Sequence, residues 1–119
     1  MQKGKGLLMP NRNKQKGNRF ERYIVSLCEQ SDIPAKRSWG SDGRSLGMHE
    51  EVDVVIDSDI RVQAKCRRRL PAYIMPSPNV DMQVIKQDRG DTMIVMKFDD
   101  WLTDYRRLME LEGRFGDES

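Results

Sequence analysis

Val52-Asp53-Val54-Val55-Ile56-Asp57-Ser58-Asp59-Ile60-Arg61-Val62-Gln63-Ala64-Lys65-Cys66 is the stretch whose pattern decides the fold. Its first five residues are β-branched or apolar apart from Asp53, and its last seven alternate apolar and polar with the period of two expected of a half-buried strand. Between them lie Asp57, Ser58 and Asp59, all turn formers. Two strands joined by a three-residue loop make a hairpin, and hydrophobic economy sets its register. With Ile56 opposite Ile60, Val54 faces Val62 and Val52 faces Ala64, so the apolar side chains share one face. A slip of one residue sets Val54 against Gln63 and scatters them. The same register puts Asp53 opposite Gln63, with Lys65 two residues farther along that face. Directly opposed Cβ atoms lie about 4.5–5.5 Å apart, so Asp53, Gln63 and Lys65 are expected in one polar patch.

Upstream, Phe20, Ile24, Leu27 and Cys28 follow the i, i+4, i+7, i+8 spacing of an amphipathic helix. Asn18 is its expected cap, and its end is expected near Ser31, ahead of Pro34. Residues 1–17, rich in Gly, Asn and Lys, are expected to be a flexible basic arm. Residues 35–39 read as a short strand, and 40–47, with three glycines, as a loop. Downstream, Pro71, Pro76 and Pro78 leave room only for a short helix over 71–75. Residues 82–86 and 92–98 read as strands around a turn at 87–91. A last helix, capped by Asp99 or Asp100, should bury Trp101, Leu102, Tyr105, Leu108 and Met109 and stop at Gly113. Helix, three strands, short helix, two strands and helix make an α/β sandwich around a mixed sheet. The expected organisation is one domain over residues 18–113, with a tail at 114–119.

At 119 residues the chain has the size of one ordinary domain. Its 34% charged residues exceed the about 25% usual for a globular chain, yet its apolar positions are periodic, which argues against disorder. No run of about 18 apolar residues offers a membrane span. Only Leu7-Leu8-Met9 follows the basic start before Pro10, too little for a signal peptide. Cys28 and Cys66 lack metal-ligand spacing and read as reduced core thiols of a cytoplasmic protein. The net charge of +2 hides an asymmetry: residues 1–20 and 61–69 hold eleven of the 21 basic residues and no acid. Such segments suit phosphate contacts, and equally a solvated tail and face.

A carboxylate, an amide oxygen and a lysine gathered beside basic segments suggest metal-assisted phosphodiester cleavage. Mg²⁺ takes hard oxygen ligands, usually one or two carboxylates, with water and phosphate oxygens completing its shell. Asp53 is the natural ligand; the Gln63 amide oxygen and the Ala64 carbonyl can join it. Lys65 can orient the nucleophile or steady developing charge. On spacing alone, however, a strand-edge aspartate and an exposed strand lysine fit equally well.

Four motifs in order carry a resemblance: Lys16-Gly17-Asn18-Arg19-Phe20-Glu21-Arg22, Lys36-Arg37-Ser38-Trp39-Gly40-Ser41, Val52-Asp53-Val54-Val55 and Val62-Gln63-Ala64-Lys65. Together they resemble the archaeal and phage Holliday-junction resolvases of the PD-(D/E)xK nuclease superfamily, over about residues 14–110. The resemblance implies a restriction-endonuclease-like sandwich, a central mixed five-stranded sheet flanked by helices. It implies an active site of Glu21, Ser41, Asp53, Gln63 and Lys65, with Asp53, Gln63, Glu21 and Ala64 holding Mg²⁺, for which Mn²⁺ can substitute. Ser41 would help orient the scissile phosphate. Lys14, Lys16, Arg19, Arg37, Arg67, Arg68 and Arg69 would grip DNA. The implied partner is a four-way junction cut by paired nicks, and two symmetric nicks imply a homodimer. No membrane and no small-molecule cofactor are expected.

One position departs from the pattern: Gln63 stands where the family usually has a second carboxylate, similar to the QxK version of Mrr-type relatives. Glu51 is a candidate stand-in. His49, the only histidine, is assigned no role. A nuclease with another DNA substrate and a non-catalytic DNA-binding module are the alternatives.

Overall fold

A computed structural model describes residues 12–38 and 43–114. The chain divides into two compact units, Met1–Cys66 and Arg67–Ser119, so the single domain expected over 18–113 spans both.

In the first unit, helix α1 (Arg12–Gln30) begins six residues before the expected cap at Asn18. Its first turns carry no apolar stripe, but Arg, Lys and Gln are good helix formers and extend it. Residues 12–17 are therefore helical, whereas 1–11 of the expected arm lie outside the described residues. The helix ends where expected, at a Schellman motif. Ile33 N–H donates to the Cys28 carbonyl at 2.8 Å and Asp32 N–H to that of Glu29 at 3.0 Å, with Asp32 left-handed at φ 59°.

Strands β1 (Ala35–Arg37), β2 (Val54–Ile56) and β3 (Ile60–Val62) form an antiparallel sheet with β2 central. The β2–β3 register is the one hydrophobic economy picks, Val54 opposite Val62 and Ile56 opposite Ile60. Its loop turns through Asp57 and Ser58, both left-handed at φ 54° and 72°. The ladder is shorter than expected. It stops at Val54–Val62, and neither the Val52–Ala64 nor the Asp53–Gln63 pair belongs to it. A side chain ends it: the Ala64 N–H, which a longer ladder would give to a main-chain carbonyl, goes to the Asp53 carboxylate. On β1, Arg37 lies opposite Val54 and reaches Asn18 and Glu21, so α1 covers the Val54–Ile56 face. On the other face Val55 lines a cavity of about 280 Å³ with Lys36, Leu46 and Met48. Covered on both sides, β2 is buried throughout, as its unbroken Val-Val-Ile run requires.

Residues 43–46 form a short 3₁₀ turn in which Gly43 is buried. A Cβ there would collide with the His49 carbonyl and stand 2.8 Å from Val52 Cβ, so the chain packs closely only without one.

In the second unit, Ala72–Ile74 is a 3₁₀ turn and β4 (Met82–Lys86) pairs antiparallel with β5 (Thr92–Met96). All five expected strands therefore exist, as ladders of three and two. Helix α2 (Phe98–Leu111) is capped two residues before Asp99 and three before Asp100, the expected caps: Lys97 is the N-cap, without a side-chain bond, and Asp99 and Asp100 lie in the first turn. Carboxylates there complement the helix dipole without capping it. Leu102 and Met109 are buried, Phe98, Trp101 and Tyr105 stack in series, and Leu108, expected inside, is exposed. Gly113, left-handed at φ 69°, terminates the helix as expected.

Candidate active site

Asp53, one residue before β2, is held by both neighbouring strands. Its N–H donates to the Val62 carbonyl at 2.8 Å, and its carbonyl accepts from the Ser38 N–H at 2.9 Å and the Ser38 hydroxyl at 3.2 Å. Its carboxylate Oδ2 accepts the Ala64 N–H at 2.8 Å. Oδ1 takes no hydrogen bond from any described residue. Three bonds to its main chain and one to its carboxylate thus fix Asp53. It also sits in a charged setting. Burial, above all, pushes the Asp53 carboxyl above its ordinary value; the Ala64 N–H pulls it back, the Glu21 charge pushes it up, and the Lys65 ammonium lowers it.

Glu21 comes from α1 and is 4% exposed. Arg37 Nη2 and Nε donate to its Oε1 at 3.1 and 3.3 Å, and Nη2 also bonds Asn18 Oδ1 at 3.2 Å. A carboxylate this deep needs such a partner, because an unpaired buried charge is costly.

The expected patch is therefore assembled in a different way. Asp53 meets the Ala64 amide and feels Lys65 and Glu21, whereas Gln63 is exposed and makes no hydrogen bond with a described residue. Ser41 lies outside the described residues. Arg37, expected on DNA, is bonded to Glu21. Lys14 and Arg19 are exposed on α1 and Lys16 is half-buried; Arg67, Arg68 and Arg69 are exposed at the start of the second unit. Glu51 is exposed beside His49, whose Nδ1 accepts the Glu51 N–H at 3.0 Å.

Ser38, given no role by the sequence motifs, and Asn18, expected only as a helix cap, both belong to the site. Extending the antiparallel β1–β2 register from Arg37–Val54 would bring Ser38 to Asp53, but the pairing of those strands is not legible in the sequence.

Among the described residues no three His, Cys, Asp or Glu side chains gather into a metal site. What surrounds the Asp53 carboxylate is the Ala64 amide bonded to it and the charges of Glu21 and Lys65 acting on it. Hard carboxylate oxygens suit a cation that takes one or two carboxylates and fills its shell from water and substrate. A perturbed carboxyl beside a second acid and a lysine is also a recurring mark of functional sites. Across protein-family models, curated proteins and solved structures, none matches this chain.

Proposed function

We propose that this chain is a Mg²⁺-dependent, structure-selective DNA endonuclease that resolves four-way junctions by paired nicks. The observation that carries the proposal is the Asp53 carboxylate, pinned by the Ala64 N–H at 2.8 Å, under the influence of Glu21 and Lys65. The four ordered motifs supply the substrate class. In this reading Asp53, Glu21, the Ala64 carbonyl and Gln63 hold the cation, which supplies a more acidic bound water and neutralises charge on the reacting phosphate. Lys65 orients the nucleophile or steadies that charge, and Ser41 positions the scissile phosphate. Arg37 holds Glu21 in place, while Lys14, Lys16, Arg19 and Arg67 to Arg69 hold the DNA backbone. The finer architecture that goes with it is a restriction-endonuclease-like sandwich on one mixed five-stranded sheet. A homodimer acting in the cytoplasm, without a small-molecule cofactor, completes the proposal.

One observation favours a second reading. Gln63 is uncharged and exposed, as a decayed ligand would be, and a DNA-binding module without catalysis would need no more. Immobile four-way junctions and linear duplexes of equal sequence, incubated with Mg²⁺ or Mn²⁺, separate these possibilities. Paired nicks in the junction, abolished by Asp53→Asn, are expected. Equal cutting of both substrates points to a general nuclease, and binding without any nicking points to the module.

A further inference from the structure

Helix α1 presents two chemically opposite faces. Glu21, Ile24 and Cys28 are its buried residues. Arg12, Lys16, Arg19 and Tyr23 recur at i, i+4, i+7 and i+11, which on a helix of 3.6 residues per turn is one straight line about 170° from Glu21. Arg12, Arg19 and Tyr23 are exposed, Tyr23 by 58%, and Lys16 is half-buried. No acid occurs between Arg12 and Phe20. The line is about 16 Å long at 1.5 Å per residue. Lys14 does not belong to it: with Asn18 and Glu21 it follows i, i+4, i+7 on the other side, toward the candidate active site.

We infer that the Arg12–Lys16–Arg19–Tyr23 line is a second phosphate-binding surface, occupied by a DNA backbone segment other than the one at Asp53. The inference rests on the nuclease proposal for the Asp53 site. Three guanidinium and ammonium groups and a phenol hydroxyl are donors of the kind that track phosphate oxygens. Glu21 lies on the buried face of α1, and a helix is about 10 Å across with its side chains, so a backbone running along the opposite, outer face is displaced by about that width from one held at Asp53. The backbone on that face therefore belongs to another arm of a branched substrate. The three basic candidates on α1 divide accordingly: Lys14 serves the arm at the active site, and Lys16 and Arg19 serve the other.

The test compares the full chain with the Arg12→Gln/Lys16→Gln/Arg19→Gln variant, its helicity checked by circular dichroism. Affinity for a four-way junction and for a linear duplex is titrated without divalent metal across a range of salt. Each phosphate contact contributes a slope of about −0.9 in log K against log[salt]. The junction slope should lose about 2.7 in the variant and the linear-duplex slope less than about 1. Equal losses for both substrates would place the line on the same duplex as the site and overturn the inference. So would no loss for either, or variant-sensitive binding to anionic phospholipid vesicles without a change on junctions. Wild-type chain that binds no DNA at all would instead defeat the nuclease proposal itself.

Discussion

Replacing Arg37 with alanine removes a guanidinium bonded to a buried acid. The Glu21 side chain is 5% exposed and that of Arg37 27%, so the acid is dry and the base still touches water. Removing one member of a buried ion pair costs about 3–5 kcal/mol, since the remaining charge is left uncompensated. Water access on the arginine side sets the expectation near the lower end, about 3 kcal/mol. For a chain of this size that lowers the melting temperature by on the order of 10 °C. The sharper variant is the double change Glu21→Leu/Arg37→Leu. Apolar replacement of a whole buried pair is often neutral or stabilising, so this chain should melt near or above the wild type. Under the nuclease proposal it should nonetheless have lost Mg²⁺-dependent cleavage, because Glu21 is gone. Thermal melts followed by far-UV circular dichroism read the stability of all three chains. An Arg37→Ala loss below about 1 kcal/mol, or a double variant as unstable as the single one, would refute the burial argument.

Further outcomes follow from single residues. The folded chain holds the Asp53 proton more tightly than an unfolded one, whose carboxyl titrates near 3.8. The ionised group therefore costs stability increasingly as pH rises from that value through the folded-state one. Asp53→Asn should melt above the wild type at neutral pH, and the gap should close below 3.8; a gap that widens on acidification contradicts the burial effect. Two glycine-to-alanine changes should move in opposite directions. Gly17→Ala, mid-helix with open space around its Cβ, should gain about 0.5–1 kcal/mol. Gly43→Ala, aimed at the His49 carbonyl, should lose about 1–3 kcal/mol, and denaturant melts with matching signs would disprove the steric account. Finally, burial, with the Glu29 charge adding to it, pushes the Cys28 thiol up to about 11. Cys66, expected in the core, is exposed because it follows the end of β3, so a thiol reagent at mildly alkaline pH should label one group in the native chain and a second only after denaturation. Two native equivalents would rule this out.

Local pattern and hydrophobic alternation were enough to determine much of this molecule. They place all five strands and both long helices, the C-terminal stop at Gly113, and the hairpin register of Ile56 with Ile60. Register is legible because a one-residue slip would exchange every buried and exposed side chain of the hairpin. Nothing local signalled the start of α1, since helix propensity without an apolar stripe leaves no periodic trace. Only the tertiary structure decided how the candidate site is built. That Arg37 belongs to Glu21 and that Ser38 holds the Asp53 main chain depend on β1 lying beside β2 under α1, and that the Asp53 carboxylate takes the Ala64 amide depends on where the β2–β3 ladder stops. Those contacts join residues 11 to 16 positions apart. Chain pattern records which face a residue seeks, and buried charges and unpaired amides find their partners only when distant segments pack together.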